Sequence, residues 1–236
     1  MLAEQISVWE QCPPELRIIL VDDGSPEPAE DVIRGASESL LSRLELYRID
    51  VDIPWNREGA RNLSAKQAET DWLLMADLDH VLPPDSARRL LEFSPDPESW
   101  YRFRRFRVGK ADDTRKKDAI PDDVEFGEIK MHVDSFLMTR EMYWDERYPG
   151  YDEDYAGTLG GGNPFLKAHE RIAPVEMLPD DICLHVYTRS MVPDSSDYSL
   201  SRDRTRYSQI RRHKEHMGDT VPRDPILFPW HRVELV

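Results

Sequence analysis

Asp71-Trp72-Leu73-Leu74-Met75-Ala76-Asp77-Leu78-Asp79-His80 is an apolar run that stops at two carboxylates spaced i, i+2. Its Leu and Met content reads as a buried strand, and Pro83-Pro84 prevents extension. In extended backbone, residues i and i+2 share a side, so Asp77 and Asp79 face one site at the strand's carboxyl end. Two neighbouring like charges repel unless a cation or donor sits between them. Hard oxygen ligands on a loop edge suit Mg²⁺ or Mn²⁺, with substrate phosphates completing the shell. The plainer alternative is a strand that ends in a solvated acidic turn.

Upstream, the pattern repeats. Arg17-Ile18-Ile19-Leu20-Val21 is a β-branched run ending at Asp22-Asp23-Gly24-Ser25, a second strand with an acidic turn. Residues 1–11 read as a short helix with Leu2, Ile6 and Trp9 on one face. Residues 26–44 read as one helix, with Ser25 as N-cap and Pro26 next to it. Residues 46–51 form a strand candidate and 56–68 a helix. Strands alternating with helices predict an α/β fold, a mostly parallel central sheet flanked by helices in a single Rossmann-like domain. In such sheets the ligand crevice lies at the carboxyl ends of the strands, where both acidic turns fall.

Downstream, residues 85–93 read as a short helix. Tyr101-Arg102-Phe103-Arg104-Arg105-Phe106-Arg107 alternates with period 2 in a strand over 100–108. Its cationic face either meets solvent or turns some arginines toward a phosphate-bearing ligand. Residues 110–128 are highly charged and predict a loop over the site. Ser135-Phe136-Leu137-Met138 is a further strand, 164–170 a helix and 183–187 a late strand carrying His185. Residues 202–214 are basic and read as a helix with a solvated face.

The chain of 236 residues suffices for one substantial α/β domain. A polar extension over 191–236 is expected to pack on or beside a domain over 1–190. No apolar run approaches the roughly 20 residues of a membrane helix, and the N-terminus lacks the pattern of a signal peptide. Cys12 and Cys183 match no metal-knuckle spacing and read as reduced thiols. The expected location is cytoplasmic, with peripheral attachment at the inner membrane surface as a variant. A net charge of −15 argues against a nucleic-acid groove, and so against nucleic acid as a partner. It leaves a nucleotide ligand open, because a bound divalent cation inverts the local field.

Four segments in order resemble a family 2 glycosyltransferase of the GT-A fold. They are Ile18-Ile19-Leu20-Val21-Asp22-Asp23-Gly24-Ser25, Asn56-Arg57-Glu58-Gly59-Ala60-Arg61-Asn62, residues 73–79, and Gly150-Tyr151-Asp152-Glu153-Asp154. The resemblance covers roughly residues 2–187. It implies that Asp22 or Asp23 accepts hydrogen bonds from the base or ribose of a sugar nucleotide, against the simpler role of capping the turn. It implies that Asn56, Arg61 and Asn62 lie beside the diphosphate. Asp77 and Asp79 match the family's metal-binding Asp-x-Asp, with Asp79 as direct Mn²⁺ or Mg²⁺ ligand and Asp77 reaching ribose or a metal-bound water. His185 stands where related transferases supply a third metal ligand, although a histidine in a short apolar strand is more often a core residue. Tyr187 and Arg189 follow it toward the phosphates.

The resemblance implies an inverting, hexosyltransferase-like transfer from a nucleotide-sugar donor, UDP-linked, to a glycan, lipid-linked or protein acceptor. In such a reaction a carboxylate acts as general base on the acceptor hydroxyl. The chain departs from the family at Leu159-Gly160-Gly161-Gly162-Asn163-Pro164, which holds no carboxylate. The base is then expected from Asp152, Glu153 or Asp154, with Asp154 favoured, and the helix near Pro164 could hold an anion. The family also opens with a strand upstream of the first helix, and its loss would remove a central strand and part of the base pocket. The competing expectations are a catalytically weak module that binds sugar nucleotides or glycans, and a nucleotidyltransferase. No Gly-rich phosphate loop supports the latter.

Overall fold

The computed structural model describes residues 1–53, 55–107, 127–129, 135–158, 160–186, 204–218, 221–222 and 225–235. In chain order the elements begin α1 (Leu2–Trp9), β1 (Ile18–Asp22), α2 (Glu30–Ile33), α3 (Glu38–Leu41), β2 (Leu44–Ile49), α4 (Arg57–Gln67) and β3 (Trp72–Met75). Next come β4 (His80–Val81), α5 (Pro84–Glu92), β5 (Trp100–Arg102), β6 (Arg104–Arg107), β7 (Gly127–Ile129), β8 (Phe136–Thr139) and α6 (Arg140–Tyr143). A 3-10 turn (Glu153–Tyr155), α7 (Gly162–Ile172), β9 (Val175–Met177), β10 (Cys183–Val186), α8 (Arg204–Met217) and β11 (Trp230–Val233) follow.

The strands fall into three hydrogen-bonded groups, in the orders β1-β2-β11, β3-β8-β5-β9 and β4-β10-β6-β7. β1 and β2 are parallel, with Ile18 opposite Leu44 and Asp22 opposite Arg48. β11 adds antiparallel to β2, tying the C-terminal segment to the first sheet. Helices cover both faces of these strands. Ile18 and Leu20 of β1 pack with Ile6 of α1, while Ile19 and Val21 pack with Ala60 and Leu63 of α4. β3 repeats the arrangement, Trp72 and Leu74 packing with Val8 of α1, Leu73 and Met75 with Ala65 of α4. Alternate residues of a strand point to opposite faces, so the same two helices flank β1 and β3. The aromatic centre of the core is Phe165, stacked on Tyr151 at 4.2 Å and beside Phe136 at 5.7 Å. Among the described residues no helix is long and apolar enough to cross a membrane.

Two sequence expectations need correction. Residues 26–44 are two one-turn helices, not one, because the Asp22 carboxylate accepts from the backbone N–H of Ser25 at 2.8 Å and of Ala29 at 3.2 Å. That holds residues 25–29 as a loop, and α3 takes its own cap from Ser37. The strand over 100–108 breaks at Phe103, which is buried, and passes from one sheet to another. Its arginine row is thereby divided. Arg102 pairs with Glu170 at 2.6 Å and Arg104 with Asp180 at 2.9 Å, leaving Arg105 to turn toward the acidic turn after β3. Of the charged stretch 110–128, only Gly127 and Glu128, in β7, lie within the described residues. Tyr187 and Arg189 lie outside them.

Candidate active site

β3 ends at Met75, and the chain turns at once, with the His80 N–H donating to the Asp77 carbonyl at 2.9 Å. Gln5 of α1 fixes this turn from beneath, its amide donating to the Leu78 and His80 carbonyls at 2.7 and 3.0 Å. The result is a cluster in which one ligand atom each from Asp77, Asp79 and His80 lie within 4.8 Å of one another. Arg61 of α4 pairs with Asp77 at 2.5 Å and lies over the Tyr151 ring. The His80 Nδ1 is 2.6 Å from the Ser135 hydroxyl and its Nε2 is 2.9 Å from the Arg105 guanidinium. A guanidinium only donates, so Nε2 is the acceptor and Nδ1 carries the proton donated to Ser135. Burial lowers the Arg105 pKa from its ordinary range, and the charges of Asp79 and Asp77 partly restore it.

The cluster lines a cavity of about 1680 Å³ together with Asp22, Asp23, Trp55 and Arg61. Asp22 is spent on structure. Besides the two loop amides, it takes an ion pair from Arg48 at 2.8 Å. Asp23 is half-buried, and burial, reinforced by the charge of Asp22, raises its pKa above the usual carboxylate range. Such a carboxylate gains from any further N–H or O–H donor brought to it. Trp55 has φ 64°, a strained value for a bulky side chain, and its carbonyl accepts from the Gly157 N–H at 3.1 Å.

Other predicted residues lie elsewhere. Asn56 is fully buried, its amide oxygen capping α4 through the Gly59 N–H at 3.2 Å. It positions Arg61 and does not line the cavity. His185 lies in β10 opposite Val81, and burial lowers its pKa. The cluster takes its histidine from His80, not His185, because the turn folds His80 back beside the two carboxylates while β10 carries His185 along the neighbouring strand. An Asp-x-Asp-His sequence was the signal for this, and Arg105 had one in its alternating strand.

The acidic turn Asp152-Glu153-Asp154 also stands apart from the cavity lining. Glu153 accepts from Asn62 at 2.7 Å and from the backbone N–H groups of Ile226 and Leu227 at 2.6 and 2.8 Å. Lys214 of α8 bridges Asp152 and Asp154 at 2.8 and 2.7 Å. The turn therefore anchors the C-terminal segment. Gly161, at the start of α7, packs so tightly on Glu58 that an added Cβ would lie 2.3 Å from its carboxylate oxygen. The helix end expected to hold an anion thus already faces a buried carboxylate, which suits its dipole.

Burial opposes the Lys214 charge, but the hydrogen bonds to Asp152 and Asp154 outweigh it and raise the pKa above 10.5. A lysine raised on folding gives stability that is complete below the unfolded value and lost as pH climbs through the folded one. Lys214→Met is expected to cost about 2 kcal/mol at pH 7. Its urea midpoint should fall less than that of the parent between pH 10 and 12. Equal alkaline slopes in the two proteins would show that the pair does not carry this dependence.

Strands that end in acidic turns over one cavity, with a helix aiming an arginine at the second turn, define an α/β domain of the GT-A type. The profile described as Glycosyl transferase family 2 matches residues 3–155, and the chain belongs to that family. The crystal structure of S. aureus TarS 1–349 is similar in fold, with a TM-score of 0.57 at 14% identity. The match covers 79% of this chain and 56% of that one, so the chain spans little more than half of the TarS structure. No curated protein sequence matches the chain.

Proposed function

We propose that the chain moves a sugar from a nucleoside-diphosphate donor, UDP-linked, to a hydroxyl of a glycan, lipid-linked or protein acceptor, with inversion. The observation that carries this reading is the convergence of Asp77, Asp79 and His80 in the lining of the cavity that Asp23 and Arg61 share. Two carboxylates on one turn form an oxygen donor set that fits Mn²⁺ or Mg²⁺. Asp79 would hold the ion directly and Asp77 through its outer shell, and His80 would join them only on exchanging the Arg105 bond at Nε2 for the ion. The bound ion would supply Lewis-acid stabilisation of charge on the leaving diphosphate. Arg61 and Arg105 place two fixed positive charges beside the same turn, where that charge develops. Asp23 accepts hydrogen bonds from ribose or base, and the Trp55 indole offers the base an aromatic wall.

Asp154 is the member of its turn retained as candidate base, because its side chain is 30% exposed while those of Asp152 and Glu153 are buried. The commitment of that turn to Lys214 and to residues 226–227 favours a second reading, a sugar-nucleotide-binding module with weak or no transfer.

Calorimetric titration with UDP and GDP, with and without Mn²⁺, tests the first part. Binding of UDP that requires Mn²⁺ is expected, and the absence of binding by either nucleotide to the folded protein would defeat both readings. Release of sugar from a UDP-sugar panel then separates transferase from binding module.

A further inference from the structure

The glycine run before Pro164 takes no part in the proposed transfer chemistry, yet it makes room for one side chain. A Cβ on Gly161 would stand 2.3 Å from Glu58 Oε1 and 2.8 Å from its carboxyl carbon. Glu58 is thereby sealed between the first turn of α4 and the start of α7, with no exposed surface. A buried carboxylate is costly unless a cation holds it, and the cation is Arg57, at 2.9 Å. The dipole of α4 does not account for this, because an acidic residue in the first turn serves a helix from the surface as well. What burial adds is a fixed guanidinium. Arg57 opens onto the cavity with its side chain 16% exposed, and Glu58 holds it from beneath. The α4 residues that line the cavity are Arg57, Ala60, Arg61, Ser64 and Gln67, the i, i+3, i+4 spacing of one helix face. Arg57 and Arg61 are neighbours on that face, with Cβ atoms about 5–6 Å apart. Arg61 pairs with Asp77, while Arg57 begins the helix, where the Asn56 N–H donates to the Asp23 carboxylate. Along α4 the charged groups therefore run in the order Asp23, Arg57, Arg61, Asp77.

We infer that Arg57 binds the donor phosphate nearer the nucleoside, and that Glu58 is the positioning residue that holds it there. The inference rests on the proposed function and adds a residue pair to it. A guanidinium recognises phosphate through a planar fork of donors, so its worth depends on its orientation. Glu58 is fully buried, touches no ligand and acts only through Arg57. Gly161 lets α7 close on the Glu58 carboxylate, which ties the glycine run to the phosphate contact. Arg61 stays with Asp77, beside the phosphate that carries the sugar. The two arginines thus divide the diphosphate between them.

Calorimetric titration of uridine, UMP and UDP, all with saturating Mn²⁺, into the parent chain and its Arg57 and Glu58 variants tests the assignment. Arg57→Ala is expected to weaken UMP and UDP by about 10- to 100-fold, the scale of a charge-assisted contact, and to leave uridine unchanged. Glu58→Gln should weaken the same two ligands about fivefold and add nothing in the Arg57→Ala background, since groups that act as one unit are not additive. Gly161→Ala displaces Glu58 without removing its charge and should repeat the Glu58→Gln pattern. Arg57→Ala strands a buried carboxylate, so thermal melts accompany each titration. Arg57→Lys and the Arg57→Ala/Glu58→Gln double variant leave no bare buried charge, and they decide the matter where a single variant fails to fold. Lysine keeps the charge without the fork and should weaken UMP and UDP less than alanine does. UMP affinity that survives in Arg57→Lys and in the double variant would overturn the assignment. So would a loss shared equally by uridine, or additive losses in the double variant, which would mean that Glu58 acts on the fold and not through Arg57. In each of those cases UDP binding by the parent leaves the proposed function standing, whereas a folded parent that binds neither UMP nor UDP removes both.

Discussion

Asp79→Ala is expected to lower Mn²⁺-supported sugar release or transfer by about 10²- to 10³-fold, the scale on which one fixed group stabilising developing charge is measured. The reason is positional. Asp79 sits on a turn held from below by Gln5 and closed by the His80 N–H, so its carboxylate has one place to be, within 4.8 Å of Asp77 and His80. Loss of that oxygen donor would leave a bound hard cation with one ligand fewer. The Asp79 charge also supports the half-buried Arg105 guanidinium, so the urea midpoint is expected to fall as well. Asp77→Ala is expected to reduce both activity and stability too, because Asp77 takes the ion pair from Arg61. Rates at increasing Mn²⁺ separate weakened metal affinity, which excess ion rescues, from a lost step, which it does not. Activity of Asp79→Ala equal to that of the parent would remove the cation from the proposed mechanism.

The parts of this site that the sequence made legible are those determined by local pattern. Ile18–Asp22 and Trp72–Met75 are strands because short apolar runs stop at acidic turns, and α4 falls within the helix read over 56–68. Arg61 came from the family resemblance, and the capping role of Asn56 came only from the structure. What stayed hidden depends on contacts between residues far apart in the chain. Whether a carboxylate is a base or an anchor is decided for Glu153 by backbone amides more than seventy positions later, at Ile226 and Leu227. His80 and His185 are both histidines of short apolar segments, and only the turn after β3, pinned by Gln5 from the first helix, selects between them. Phe103 reads as one more alternation in a strand, yet its burial forces the switch between sheets that sends Arg105 to the site. Local pattern named Arg105 and His80 as candidates, but only these distant contacts select them.

Asn62→Ala is expected to cost about 3–4 kcal/mol, a large loss for a substitution that removes only a few atoms. Asn62 is fully buried on α4 and uses its amide completely. Its Nδ2 donates to the Tyr151 carbonyl at 2.8 Å and to Glu153 at 2.7 Å, and its Oδ1 accepts from the Tyr151 N–H at 2.8 Å and the Tyr143 hydroxyl at 2.9 Å. Alanine leaves those groups short of a partner in a place where buried polar atoms are costly to strand. Gly150 shows how closely the chain is fitted here, since a Cβ on it would stand 2.6 Å from the Asn62 oxygen and its φ is 71°. Urea unfolding of Asn62→Ala beside Asn62→Asp makes the argument specific. Aspartate keeps the oxygen that Tyr143 and Tyr151 donate to but sets a carboxylate against Glu153, so it should be destabilised as well, and more at pH 7 than at pH 4. A cost below about 1 kcal/mol for alanine would mean that solvent reaches these groups, and that the tie from α4 to the acidic turn does not hold the C-terminal anchor in place.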